Sequence, residues 1–398
     1  MDKKGISILI FLIILPFFCP SYITVHYDRI ADLFKIGRYV SAAVILIISL
    51  RSLKLSKVGI LILLFCSILS VNTLINKGDI PTLINEVLPI FSLVLLTEYY
   101  LRNNFKLYIK TFLFLFEILV VINFITMILH PEGLYTTSLY TLNLQIVTGY
   151  TENWFLGYRN IHILIILPTL VFSFLYSYMD GEKIKLRTKL LIIISTISVL
   201  MGMSATTIIG TSIFLILVLF KDYFIRFTKM NIKTFIIIVV TMFLGIVIFR
   251  VQNFLTFFIT GIFDRSMTFT GRTYIWDNVM ESIKNSPLFG YGIEHRVDRV
   301  LRATRVVAYH AHNAFLEILF RGGIVLLTSF SLIIFNSAKS LLMEKNNLTW
   351  LLSVTIFTYL MMMQFEAYSM VMFMVIIVIG YNWKYLIDKK EDEVHENS

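Results

Sequence analysis

Residues 58–75 read VGILILLFCSILSVNTLI, a stretch without a single charged side chain. A helix needs about 20 mostly apolar residues to cross a bilayer, so this stretch is long enough for one span. Similar runs recur along the whole chain of 398 residues, of which 57% are hydrophobic and 15% charged. Soluble domains carry roughly 25% charged residues. The sequence therefore predicts an all-α, polytopic membrane protein and excludes a soluble globular domain.

The apolar runs predict about twelve transmembrane helices within one integral membrane domain, residues 1–398. Their approximate limits are 6–24, 34–50, 58–75, 83–100, 108–129, 160–178, 189–203, 205–220, 234–253, 313–334, 350–366 and 369–387. Pro16 and Pro20 interrupt the first run, but no small-residue cleavage site follows it. We therefore interpret that run as a helix rather than as a signal peptide.

Lysine and arginine gather in the loops on one side of these runs. The residues on that side are Lys3, Lys4, Arg51, Lys54, Lys57, Arg102, Lys106, Lys110, Lys183, Lys185, Arg187, Lys189, Lys221, Arg226, Lys229, Lys233, Lys339, Lys345, Lys384, Lys389 and Lys390. By the positive-inside rule this side is cytoplasmic. The pattern predicts a multi-pass protein of the bacterial cytoplasmic (inner) membrane with both termini inside. Residues 388–398 are predicted to form a disordered cytoplasmic tail.

The net charge of +10 follows mostly from this topology, so no nucleic-acid partner is expected. Two outward segments, 130–159 and 255–311, are longer than most connections between helices, which indicates a function. The second is predicted to be a large, partly helical extracytoplasmic loop. Seven basic residues lie in it, against the charge rule: Arg265, Arg272, Lys284, Arg296, Arg299, Arg302 and Arg305.

Within this loop, residues 271–292 read GRTYIWDNVMESIKNSPLFGYG. Apolar residues at helical spacing predict a short helix from about Thr273 to a stop before Pro287. Such a helix is expected to lie on the membrane surface or to cap the helical bundle, with Trp276 at the interface.

Arginines follow at every third position, at 296, 299, 302 and 305. One interpretation is a basic amphipathic helix on anionic lipid headgroups. The other is a clamp for a pyrophosphate, because a guanidinium group binds phosphate oxygens in pairs and keeps its charge. Both hold if the substrate is a lipid-linked phosphate. Arg265 and Arg272 are further candidates for the clamp.

The segment HAHNAFLE begins at His310, at the mouth of the span near residue 313. His310 and His312 are either interfacial capping residues or, because histidine exchanges protons near neutral pH, candidates for a general base. Asn313 is suited to cap the following helix. Glu317 and Arg321 are four residues apart and are predicted to form a structural ion pair. Other charged residues in the spans are expected to face the bundle interior with unidentified partners: Glu86, Glu117, Arg250 and Glu366.

From about Gly271 to Leu327, the chain resembles the carboxy-terminal core of the O-antigen ligase/polymerase superfamily, which includes the Wzy-type polymerases. The resemblance is carried by GR at 271–272, the tryptophan four residues later, SPLFGYG at 286–292, HAHNAFLE, and RGGIVLL at 321–327. It implies an inverting, metal-independent glycosyltransferase without a cofactor. It also implies a donor glycan on undecaprenyl diphosphate and a lipid-linked glycan as acceptor.

By this resemblance His312 is the catalytic base, Arg272 and Arg159 hold the pyrophosphate, and Asn160 lies nearby. The remaining predicted substrate-binding residues are Arg265, Arg296, Arg299, Arg302, Arg305, His310 and Asn313. Many members carry a Ser-Arg pair in the turn between the seventh and eighth helices. Here Ser204 is present without the arginine. The expected replacement is one of the arginines of the large loop, with Arg265 favoured over Arg296, Arg299, Arg302 and Arg305.

Three functions are compatible with these features. The first is a polymerase of capsule, exopolysaccharide or O-antigen repeat units, with a chain-length regulator or a flippase as a possible partner. The second is a ligase of the same superfamily, which the motif does not separate from a polymerase. The third is a flippase for lipid-linked sugars. Transporters place their ionisable groups at mid-membrane, whereas the polar residues here lie outside the spans, which favours a transferase.

Overall fold

The structure is a computed structural model that describes residues 3–50, 54–140, 147–179, 181, 184–250, 269–304 and 310–386. Two predicted site residues, Arg265 and Arg305, lie outside these ranges. So does the predicted tail at 388–398.

Helices account for most of the described chain, and they pack against one another both between neighbours in sequence and between distant segments. The α-helices are α1 (Lys3–Ile14), α2 (Ser21–His26), α3 (Asp28–Leu50), α4 (Lys57–Ile75), α5 (Ile80–Asn103), α6 (Phe105–Leu129), α7 (Ile163–Met179), α8 (Leu186–Gly202), α9 (Ala205–Leu219), α10 (Lys221–Phe227), α11 (Ile232–Phe243), α12 (Phe269–Asn285), α13 (Arg296–Arg299), α14 (Ala314–Leu341), α15 (Asn347–Met362) and α16 (Val371–Tyr381). Their apolar faces form one large core.

Six of the described helices are long and apolar enough to cross a membrane, or seven if α9 and α10 form one span bent by 73°. Shorter apolar helices of 10–17 residues accompany them: Gly5–Phe17, Ile232–Ile248, Asn347–Met362 and Val371–Tyr381. The chain is thus a multi-pass membrane protein, but the predicted count of about twelve spans is not confirmed.

Two of the predicted spans are interrupted in the structure. α1 ends at Ile14 and continues only as a 3₁₀ turn, because Pro16 lacks the N–H that an α-helix requires. Pro20 then directly precedes the short helix α2. α11 changes at its end into a π-helical turn, Leu244–Ile248.

The segment 130–159, which was predicted to face outward, contains a small antiparallel sheet that the sequence did not predict. Its strands are β1 (Tyr135–Tyr140), β2 (Val147–Trp154) and β3 (Gly157–Tyr158), paired in the order β1-β2-β3. The hydroxyls of Thr137 and Thr151 share a hydrogen bond of 2.7 Å across β1 and β2. The sheet returns the chain to the start of α7.

α14 is the helix around which the candidate site is built. It packs against α4 and α16 and, at its beginning, against α12. A small second core joins α12 to the start of α14, and its buried residues are Val247, Ile275, Trp276, Val279, Ala311, Leu316 and Phe320. Trp276 is fully buried, so the expected interfacial position of this residue is wrong. α12 caps the bundle because its apolar face packs on α14.

The SPLFGYG turn docks against α14 at an interruption of that helix. The backbone N–H groups of Tyr291 and Ile324 donate to the carbonyls of Phe320 and Pro287, at 2.9 and 2.8 Å. At Gly323, φ is 60° and ψ is −160°, a conformation that is essentially restricted to glycine. The two motifs therefore form a single interlocked unit.

We expect Gly323→Ala to lower the melting temperature of the protein. An added Cβ would lie 2.2 Å from the backbone carbonyl carbon and oxygen of Leu288, so the turn and the helix must separate. The unfavourable backbone conformation adds about 1–3 kcal/mol of strain. Size-exclusion chromatography of detergent-solubilised protein after heating measures the effect.

Gly181→Ala is the matched control for this substitution. Its φ of 146° is also positive, but no atom lies within 4 Å of the added Cβ. Its melting temperature should therefore fall less. Equal stability of Gly323→Ala and the wild type would contradict the interlocked unit.

Candidate active site

Residues 310–313 lie where α14 begins. The side-chain oxygen of Asn313 accepts hydrogen bonds from two backbone N–H groups of the first helical turn, both at 3.0 Å. Its amide nitrogen donates to the carbonyl of Gln364 at 2.9 Å. Asn313 has no exposed surface. It therefore caps α14, as expected, and attaches it to the 363–370 connection between α15 and α16.

His312 is hydrogen-bonded to Glu366 in that connection. Nδ1 of His312 lies 2.9 and 3.2 Å from the two carboxylate oxygens. The carboxylate is an acceptor, so Nδ1 carries the proton and the lone pair of the neutral ring resides on Nε2. The His312 side chain is 27% exposed and that of Glu366 only 9%. The arrangement thus holds the imidazole in one tautomer while part of the ring stays accessible.

Two further residues contact the same carboxylate. A guanidinium nitrogen of Arg272 lies 3.6 Å from Glu366, and another donates to the carbonyl of Phe365. Nδ1 of His310 lies 3.5 Å from Glu366, and the rings of His310 and His312 are 4.2 Å apart. We call His310, His312, Glu366 and Arg272 the histidine cluster.

The charges of the histidine cluster follow from its surroundings. Burial alone would raise the pKa of Glu366, but the hydrogen bond from His312 and the positive charge of Arg272 oppose burial, and the pKa is lowered. Glu366 is therefore a carboxylate at neutral pH. Removal from water, followed by the effect of His312, lowers the pKa of His310 to about 4. His310 is therefore neutral there.

His312 has a φ of 47°, which lies in the left-handed region that residues other than glycine rarely adopt. Ala311, the residue before it, is held at both its backbone N–H and its backbone carbonyl. The N–H of Ala311 donates to Glu317 at 2.9 Å, and its carbonyl accepts from the indole of Trp276 at 2.9 Å. These contacts keep the candidate base in a backbone conformation that costs of order 1–3 kcal/mol.

Glu317 is the centre of a buried ion network beneath this segment. It accepts from Arg321 at 2.7 Å, as the four-residue spacing predicted, and also from Arg299 at 2.7 Å. Arg321 also donates a hydrogen bond to the carboxylate of Glu86, at 2.6 Å. Arg299 is 4% exposed and lies 3.4 Å over the ring of Phe320. In this structure Arg299 therefore supports the HAHN segment from below.

Arg296 and Arg302, from the same run of arginines, are more exposed than Arg299. Arg296 is exposed and lines the cavity described below. Arg302 is 48% exposed, forms an ion pair with Glu294 at 2.6 Å, and lies over the ring of Tyr291. Contact of any of them with a substrate stays a prediction.

Arg159 and Asn160 form a 3₁₀ turn before α7. Arg159 lies over the ring of Tyr158 at 5.6 Å and against Gly202 at the end of α8. In the described ranges no contact joins Arg159 to the histidine cluster. Arg272, however, shares a groove with the first residues of α9, so the short turn between α8 and α9 separates the two arginines.

Two openings adjoin the histidine cluster. The charged cavity has a volume of about 360 Å³ and includes His310. Its other ionisable lining residues are Asp79, Glu86, Glu294, Arg296, Arg299, Glu317 and Arg321. The apolar groove, of about 160 Å³, runs past Arg272. Its other lining residues are Ala205, Thr206, Ile209, Gly210, Ile213, Met361, Met362 and Phe365. Glu366 contacts His310 of the charged cavity and Arg272 of the apolar groove.

Glu366 is the site residue that the sequence reasoning missed. Its charge at the end of an apolar run indicated an interior partner, but His312 is 54 positions away along the chain. The sequence placed Trp276 on the apolar face of the predicted helix. It did not predict the hydrogen bond from Trp276 to Ala311, because that bond depends on how α12 packs.

The family comparison is consistent with this geometry. A family model described as "O-Antigen ligase" matches residues 190–331. That range includes Arg272 and His312 and ends before Glu366. The resemblance inferred from the motifs is thereby confirmed in this part of the chain.

A curated relative matches a shorter stretch. It is the "Exopolysaccharide production protein ExoQ" of Rhizobium meliloti (strain 1021), 32% identical over 100 residues. The match covers 22% of this chain and 23% of the relative. The aligned part therefore spans less than a quarter of that protein.

Proposed function

Since residues 190–331 of this chain match the family model described as "O-Antigen ligase", we propose that the protein is a glycosyltransferase of polysaccharide synthesis. It joins glycan repeat units carried on undecaprenyl diphosphate, by inverting transfer at the outer face of the cytoplasmic membrane. The observation that carries the proposal is the hydrogen bond from Nδ1 of His312 to Glu366, which puts the lone pair of the neutral ring on Nε2, while the same carboxylate lies 3.6 Å from the guanidinium of Arg272.

His312 acts as the general base. Nε2 accepts the proton of an acceptor hydroxyl as its oxygen forms a bond to the anomeric carbon of the donor. The carboxylate of Glu366 stabilises the imidazolium that results, much as the aspartate of a catalytic triad does. Attack from the face opposite the leaving group inverts the anomeric centre.

Arg272 binds the leaving group. The bond from the anomeric carbon to the diphosphate oxygen breaks, and undecaprenyl diphosphate departs with the electron pair. A guanidinium group held in place by Phe365 and Glu366 stabilises this growing charge. The apolar groove next to Arg272 accommodates the first isoprene units of the donor, since Ile209, Ile213 and Met361 line it.

The charged cavity receives the acceptor glycan. Its lining contains carboxylates and guanidinium groups in similar number. Sugar hydroxyls both donate and accept hydrogen bonds, so this lining suits a glycan better than a second phosphate. Its position beside His310 brings an acceptor hydroxyl toward His312.

The orientation proposed for the protein rests on its charges. The histidine cluster lies at the end of the bundle that contains residues 76–79 and 363–370, away from most lysines and arginines. The positive-inside rule then assigns the cluster to the outer face and both termini to the cytoplasm.

Reconstitution tests the reaction. Purified protein is incubated with undecaprenyl-diphosphate-linked repeat units, with and without a second acceptor. Longer lipid-linked glycans identify a polymerase, and transfer only to the second acceptor identifies a ligase of the same superfamily. Transport of the lipid-linked units across a vesicle membrane without a new glycosidic bond would identify a flippase and contradict the proposal.

Glu366→Gln is expected to lower kcat by roughly 10²-fold with little change in KM. The amide still accepts a hydrogen bond from His312, so the ring keeps its place, but the imidazolium loses its counter-charge. Initial rates at several donor concentrations separate the two constants. Glu294 is a carboxylate that lines the charged cavity outside the histidine cluster, so Glu294→Gln is the control and should change kcat only a few-fold. Unchanged kcat in Glu366→Gln would exclude a role for this carboxylate in proton transfer.

A further inference from the structure

The histidine cluster has a second chemical property beside its proposed acid–base role. One ligand atom each of His310, His312 and Glu366 lie within 4.8 Å of one another. The separations from Glu366 are 2.9 Å to His312 and 3.5 Å to His310. Two imidazoles and a carboxylate are a usual protein ligand set for Zn²⁺ that leaves a fourth position open.

We propose that His310, His312 and Glu366 form a binding site for Zn²⁺ or a similar divalent transition-metal ion, and that occupation of this site inhibits the enzyme. Ligand atoms 2.0–2.2 Å from a tetrahedral zinc ion lie about 3.3 Å from each other. The separations from Glu366 to His312 and to His310, 2.9 and 3.5 Å, lie on either side of this value, so both histidines are already near ligand distance from the carboxylate. Both histidines are partly exposed, at 36% and 27%, so an ion has access.

Inhibition follows from the tautomer of His312. An ion that takes Nδ1 of His312 moves the ring proton to Nε2, which then has no lone pair for an acceptor hydroxyl. An ion that takes Nε2 occupies that lone pair directly. In both cases Glu366 becomes a metal ligand and no longer supports His312. This consequence rests on the proposed function of His312, whereas the binding of the ion does not.

The charge of Arg272 is expected to have opposite effects on the binding of a metal ion and on the binding of a pyrophosphate. Its guanidinium lies 3.6 Å from Glu366 and repels a divalent cation bound there. Removal of this charge should therefore strengthen metal binding, although the same substitution weakens the binding of a pyrophosphate. A histidine pair that binds metal only nonspecifically at the surface would not respond in this way.

Direct binding to purified, detergent-solubilised protein tests the site without an activity assay. Co²⁺ is the probe, because its visible absorption reports four-coordinate binding, and Zn²⁺ is added to displace it. We expect one equivalent to bind the wild type, His310→Ala to weaken binding by at least about tenfold, and Arg272→Gln to strengthen it. His295→Ala is the control, since His295 is exposed and lies beside Asp79 rather than Glu366.

Turnover with and without Zn²⁺, each variant compared with its own metal-free rate, then tests inhibition. We expect Zn²⁺ to inhibit the wild type, a chelator to restore it, and His310→Ala to lose most of the zinc sensitivity. Absence of a Co²⁺ band in both the wild type and Arg272→Gln would overturn the site, even if the enzyme transfers glycans. Binding without inhibition would overturn the inhibitory role, and loss of transfer in metal-free wild-type protein would instead contradict the proposed function.

Discussion

Replacement of His312 by alanine is expected to abolish glycan transfer, with kcat lower by at least about 10²-fold. The substitution removes the imidazole whose Nε2 lone pair accepts the proton of the acceptor hydroxyl in the proposed reaction. The remaining contacts of Arg272 still bind the donor, so KM should change little. The measurement is chain elongation by purified protein, supported by polymer length in cells.

A second variant separates catalysis from folding at this position. His312 adopts a φ of 47°, which asparagine tolerates better than most residues. His312→Asn should therefore preserve the backbone and still lack the base, whereas His295→Ala should retain activity. Polymers of wild-type length in cells that make normal amounts of either His312 variant would exclude the base role.

Local patterns explain which parts of the fold were predictable. The run 58–75 corresponds to α4 at Lys57–Ile75, because an uninterrupted apolar stretch has few alternatives to a helix in a bilayer. The cap at Asn313 and the ion pair from Glu317 to Arg321 were also predictable. Both depend on residues within one helical turn.

Contacts between distant segments explain what the sequence did not predict. The pair of His312 and Glu366 exists because α15 ends beside the start of α14, and no spacing rule relates the two residues. Similarly, Trp276 is buried because α12 packs on α14, although an isolated amphipathic helix would place it at the membrane interface. The predicted count of about twelve spans is not confirmed by helix length, since apolar runs do not reveal where a helix breaks.

The strand pairing in residues 130–159 escaped prediction for a related reason. Alternation of polar and apolar residues in β1 is weak, and most of its side chains are Tyr, Thr or Ser. The register that pairs Tyr135 with Asn153 is supported by hydrogen bonds between side chains of the two strands. Such bonds cannot be predicted from the sequence of one strand alone. The indole of Trp154 donates to the carbonyl of His130, which closes the segment on the end of α6.

Glu317→Ala is expected to destabilise the protein by about 3–5 kcal/mol, the usual cost of removing one partner from a buried ion network. Arg299 would be left buried without a counter-ion, and the N–H of Ala311 would lose its acceptor. Thermal unfolding in detergent measures the loss. Glu317→Gln keeps an acceptor for Ala311 without the charge and should fall between the alanine variant and the wild type.

A double substitution decides whether the charge or the clamp on Ala311 matters more for function. Glu317→Leu combined with Arg299→Met removes both charges of the pair, so much of the lost stability should return. Transfer should not return with it, because the acceptor that holds Ala311 is still missing and His312 is no longer kept at its unfavourable φ. A stable double variant with wild-type kcat would show that the position of His312 does not depend on Glu317. A folded variant with low kcat and normal KM would instead identify Glu317 as a positioning residue for the base.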